Sequence, residues 1–206
     1  MRHQLLSKTK KRQAGFTMLE MMVVVAIVLA MTSIVIMYIP QFRDRSALDL
    51  VAQDIAITIR SAQVYASGGK IPAGATETKP SYGVHFSTET TGSKNREFYL
   101  YTNNVGNVGF AGLAPGDPGV FDYKLHAITV ARICVDGGQC DEIETLDVIY
   151  TRPQLGAKIY IGGNYGQGEN KNSAEIYIKA DKTGKEKMII VRSNGQISVE
   201  NVVETP

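Results

Sequence analysis

Two cysteines and three histidines are all the thiolate and imidazole ligands that 206 residues supply for zinc. His3, His85 and His126 are scattered, and Cys134 and Cys140 have no second pair nearby, so a zinc site is not expected. Catalytic signatures are missing as well. There is no Gly-x-Ser-x-Gly elbow and no His-Glu-x-x-His pair, and "GGNYGQGE" has the glycines of a phosphate loop without its Lys-Ser/Thr end. "DKTGKE" places Lys182 and Lys185 between Asp181 and Glu186, the wrong charge for a calcium loop. No catalytic residue, metal or cofactor is therefore expected, and the chain does not read as an enzyme. A formal charge of +2 is too small to imply a nucleic-acid partner.

That charge is unevenly placed. No acid precedes Gly15, whereas Arg2, Lys8, Lys10, Lys11 and Arg12 all do. Removing those five from the 22 basic residues leaves 17 against 20 acids, a formal −3. The basic excess belongs to the leader, residues 1–15.

A long apolar run follows, "FTMLEMMVVVAIVLAMTSIVIMYI", residues 16–39, with Glu20 as its one charge. As a helix rising about 1.5 Å per residue it spans a hydrocarbon core of roughly 30 Å. The basic flank before it predicts a cytoplasmic N-terminus and a body on the far side. A secretory signal peptide fits poorly. Its apolar region would be about 7–15 residues and would end in a small-residue cleavage site, but Ala14-Gly15 lies before the run.

Residues 40–66 resume a helical period after Pro40, which is expected to kink or break the helix. Leu48, Val51, Ala52, Ile55, Ile59, Ala62 and Ala66 fall on one stripe, and "SGGK" ends it. The period predicts a helix with one half in lipid and the other half, amphipathic, packed on a folded body.

Glu20 is the anomaly. An intramembrane carboxylate is costly, and the run contains no Lys, Arg or His to pair with it. A cut between Gly15 and Phe16 would create an α-amino group four residues away. That cation could pair with Glu20 in the same chain or in a neighbouring copy.

"KKRQAG" followed by "FTMLEMMVVVAIV" closely resembles the class III signal of type IV pilins and type II secretion pseudopilins. The resemblance implies that prepilin peptidase cuts after Gly15 and N-methylates Phe16. It also implies that Glu20 sets subunit register by neutralising an adjacent subunit's amine. The expected fold is pilin-like α+β, with a long N-terminal helix packed on an antiparallel β-sheet domain over residues 67–206.

Within that body, candidate strands are 82–87, 97–102, 124–135, 144–151, 157–162, 174–180, 187–193 and 196–203. "SNGQ" signals a two-residue hairpin turn and "ADKTGKEK" a looser hairpin. "NNVGNVGFAGLAPGDPG" and "GGNYGQGENKN" are expected as mobile surface loops. The spacing of Cys134 and Cys140 around Asp-Gly-Gly predicts a disulfide at a hairpin tip in an oxidising compartment. The terminal stretch "AEIYIKADKTGKEKMIIVRSNGQISV" is similar to the GspH/FimT-like minor pseudopilin branch.

The resemblance implies a structural subunit of a type IV pilus or a type II secretion pseudopilus. Its partners would be prepilin peptidase, other pilin subunits, an inner-membrane assembly platform and membrane lipid. It would lie in the inner membrane before entering a filament. A filament-tip binding subunit for adhesion or DNA uptake, or a plain membrane-anchored surface domain, are the alternatives. DNA binding would call for clustered basic residues on the body, and "KADKTGKEK" mixes its lysines with acids.

Overall fold

The computed structural model describes residues 15–69, 81–103, 109–113, 118–138, 140, 143–154, 156–162 and 171–202. The leader up to Ala14, most of the second glycine-rich loop and the end of the last expected strand lie outside them. The chain forms two compact units, divided between Phe42 and Arg43.

The first unit carries the opening of α1, Met18–Gly68, which is long and apolar enough to cross a membrane. Thr17 starts this helix. Its carbonyl accepts from Met21 N at 3.2 Å, and its Oγ1 accepts from Glu20 N at 3.2 Å. The hydroxyls of Thr32 and Ser33 donate back to the carbonyls of Val28 and Leu29 at 2.7 and 2.8 Å. Both hydroxyls thereby find partners within the helix, as a lipid environment would demand. Helix assignment runs on through Pro40, so the expected break does not occur. The proline removes one backbone donor from a 51-residue helix.

In the second unit the stripe on α1 packs into the core. Leu48, Ala52, Ile55, Ile59, Ala62 and Ala66 are buried, and Val51 is half-buried against them. Thr58 joins them at 3% exposure, because its hydroxyl donates to Asp54 O at 2.8 Å and leaves only its methyl to be packed.

Nine strands make two antiparallel sheets. In the first, β1 (Ser81–Ser87), β2 (Glu97–Asn103), β3 (Gly119–Lys124), β5 (Thr145–Tyr150) and β6 (Ala157–Ile161) lie in the order β3-β2-β1-β5-β6. In the second, β4 (Ile128–Val135), β7 (Ser173–Ala180), β8 (Glu186–Arg192) and β9 (Ile197–Asn201) lie in the order β4-β7-β8-β9. One hydrophobic cluster takes residues from both sheets and from α1, the α+β layout expected.

Three local expectations change. The stretch 124–135 is not one strand: β3 ends at Lys124, β4 begins at Ile128, and the two lie in different sheets. Ala127, with φ 60°, reverses the chain between them, and buried Leu125 and Ile128 break the period-2 alternation. The "SNGQ" turn holds three residues rather than two. Gly195 N donates to Arg192 O at 2.8 Å and Arg192 N to Gln196 O at 2.9 Å, with Gly195 left-handed at φ 86°. The Cys134–Cys140 disulfide is present, but it does not cap a hairpin, since β4 and β5 belong to separate sheets.

Instead the bond closes the turn through which the chain leaves one sheet for the other. Asp136 fixes that turn, accepting from Asn172 N at 2.8 Å and Ser173 N at 3.3 Å at the start of β7. A loop of this length is worth about 2 kcal/mol in the chain-entropy account. Cys134→Ser with Cys140→Ser should therefore lower the unfolding midpoint of the full chain by roughly 4–8 °C. A melt unchanged by reduction of the wild type would contradict this.

Candidate functional site

Among the described residues, each unit has a place where functional groups concentrate. In the first unit, Gly15, Phe16 and Thr17 precede α1, and Phe16 is 78% exposed. Thr17 and Glu20 occupy the N-cap and third helical positions, the Ser/Thr-x-x-Glu arrangement of a capping box. A carboxylate there also faces the positive end of the helix dipole. Glu20 thus has a local reason to sit where it does, in addition to any intersubunit one. Sequence reasoning missed it, although Thr17 three residues before Glu20 was the signal.

In the second unit, alternation on β1 sends Tyr82, Val84 and Phe86 to the core and Gly83 and His85 to the opposite face. Register places Asp122, Tyr99, His85, Asp147 and Tyr160 in one row across five strands. His85 Nδ1 lies 2.8 Å from Asp147 Oδ1, which also accepts from Tyr101 Oη at 3.2 Å. Asp147 is only 2% exposed.

Part of the first glycine-rich stretch explains this burial. Residues 109–113 do not stand off as a surface loop. Phe110 seats among His85, Tyr99 and Tyr101, with ring centroids 4.6, 5.7 and 4.8 Å away. Gly109 approaches the Asp147 carboxylate so closely that a Cβ would lie 2.7 Å from Oδ2. On the neighbouring row, a Cβ on Gly83 would lie 2.5 Å from the Tyr101 ring. The missing side chain lets that ring cross β1 to reach Asp147.

Among the described residues, no Ser, Thr or Cys side chain bonds to His85, so the cluster lacks a nucleophile activated by the imidazole. Its chemistry is that of a polar clamp under an aromatic lid. None of its members was singled out as a site from the sequence, and His85 was counted only as one of three scattered histidines. The acids weighed for calcium serve arginines instead: Asp181 pairs with Arg96 at 2.8 Å and Glu186 with Arg132 at 2.9 Å.

Several tyrosines of the body are displaced toward the neutral form. Burial pushes up Tyr150, opposed by Arg60. Burial also raises Tyr99, helped by a hydrogen bond to Glu97 and by the charges of Glu97 and Asp122. A group raised in the folded state stabilises the fold below its unfolded value and loses that contribution as pH climbs above it. The unfolding midpoint should accordingly fall as pH passes about 10, where unfolded tyrosines ionise. A midpoint that is flat through that window would contradict the burial of these phenols.

Residues 10–36 match the family model described as the prokaryotic N-terminal methylation motif. No curated protein and no solved structure matches the chain.

Proposed function

We propose, from the prepilin signal that the chain carries at residues 10–36 and that joins it to the type IV pilins and pseudopilins, that this protein is a minor subunit of a pilus or secretion pseudopilus. Such a signal implies processing by prepilin peptidase and assembly with other pilins, and members of the family are structural rather than enzymatic. The apolar opening of α1 fits a membrane anchor.

In this reading the peptidase cuts between Gly15 and Phe16 and methylates the new amine. The leader stays cytoplasmic, the body faces the periplasm, and an inner-membrane platform later draws the subunit into a filament. Glu20 then pairs with the Phe16 amine of an adjacent copy and sets the register between subunits. The role is mechanical and asks no catalysis of this chain. A place in the GspH/FimT-like branch belongs to the same proposal, supported by the terminal hairpins β7-β8-β9.

The observation that carries this reading is the motif itself, which contains a capped helix start at Thr17. It is tested by fractionating sheared surface filaments and membranes from the host and from a strain lacking prepilin peptidase. The chain should enter filaments only in the first. Equal recovery in both would contradict the proposal.

A further inference from the structure

A cleft of about 800 Å³ opens in the second unit between the early part of its helix, the β7–β8 turn and the end of β9. Its charged lining is Arg45, Arg132, Lys185 and Lys187 against Asp49 and Glu186, a local excess of two positive charges. This is the opposite of the acidic balance of the chain after Gly15. Two of the cations are held in place. Lys187 is ion-paired with Asp49, while Arg132 bonds Glu186 and lies 3.9 Å over the Tyr177 ring. Among the described residues, Arg45 and Lys185 have no ion-pair partner. Fixed charges on one wall and uncommitted charges beside them suit an anion with several oxygens.

The position along the chain narrows the choice of anion. Arg45 stands six positions beyond Ile39, the end of the apolar run. In any orientation, the Arg45 backbone lies within about 20 Å of that end. A cation tethered within that reach of a bilayer is offered lipid phosphates by its own tether, whereas a soluble anion has to be captured from bulk. We propose that this cleft binds the headgroup phosphate of an anionic membrane lipid. The inference rests on the membrane-anchored reading above.

The test uses the full chain in lipid nanodiscs of phosphatidylcholine with and without phosphatidylglycerol. Lipid retained after gentle release is counted by native mass spectrometry. The wild type should retain one phosphatidylglycerol. Arg45→Gln with Lys185→Gln should weaken that retention by about thirtyfold, the worth of two basic contacts at an anionic surface. Arg43→Gln, which alters a neighbouring charge outside the cleft lining, should leave it unchanged. Matched thermal melts would establish that the variants remain folded.

Retention lost equally in Arg43→Gln would mean diffuse surface attraction and overturn the proposal. Binding of inorganic phosphate with no preference for phosphatidylglycerol over phosphatidylcholine would overturn the lipid assignment. A chain that enters no bilayer would overturn the anchored reading itself, an outcome distinct from entry without selective lipid.

Discussion

Glu20→Gln is expected to leave the chain cut and anchored normally, yet to lower its share in the filament fraction by about tenfold or more, the factor that ~1.4 kcal/mol of lost pairing gives. The sign of each contribution makes this informative. A neutral amide is cheaper to place in lipid than a carboxylate, so insertion should improve rather than fail. Glutamine also serves at the third position of a capping box, so the Thr17 start should survive. What is removed is the carboxylate's charge: its attraction to the helix dipole, which acts within one chain and does not bear on assembly, and its attraction to a cation, for which this account supplies the processed Phe16 amine. Glu20→Ala removes both roles and should assemble no better than the glutamine variant. If Glu20→Gln assembled at wild-type levels, the residue would be a helix cap and the register role would be lost.

Gly83→Ala should be a strongly damaging one-methyl change in the body. The added carbon would lie 2.5 Å from Tyr101 Cζ and 2.6 Å from its Oη. Tyr101 is fully buried, tied to Asp147 at 3.2 Å and covered by Phe110, so it has no direction in which to yield. Overpacking of this kind costs about 3 kcal/mol, or roughly 6–12 °C in the unfolding midpoint. Asp147→Ala should act in the same direction by a different route, leaving His85 Nδ1 and the Tyr101 hydroxyl without their acceptor at a cost of about 2–4 kcal/mol. Tyr101→Phe, which removes one bond and keeps the ring, should cost only about 1 kcal/mol. Thermal melts of the full chain in detergent measure all three. A Gly83→Ala midpoint equal to wild type would mean that Tyr101 is free to move, and the clamp would be no clamp.

The helix was legible because its signals are local. Spacings of three and four brought Leu48 through Ala66 onto one face, and that face is the buried one. Most strands were legible for the same reason, through alternation between turns. β3 was not, because Gly119–Lys124 follows a glycine-rich stretch and buries almost nothing of its own. The His85–Asp147 pair was hidden by separation: two groups that each occupy the outward position of a strand stand 62 positions apart in the chain. Read alone, such positions look solvated. The return of residues 109–113 over the sheet covers them, and its aromatic anchor, Phe110, stands alone among glycines and small residues. The turn closed by the disulfide was misplaced for a related reason. Spacing reveals that Cys134 and Cys140 can meet, but the sheet each flanking strand joins is decided by distant partners.

The measurement that bears most directly on the central claim is the intact mass of this protein recovered from membranes of its own host. The account predicts a chain beginning at Phe16, about 14 Da heavier than the cut sequence from one methyl group and about 2 Da lighter from the Cys134–Cys140 bond. A chain still beginning at Met1, in a host whose prepilin peptidase is active on other substrates, would contradict it. Glu20 would then have no processed amine to meet.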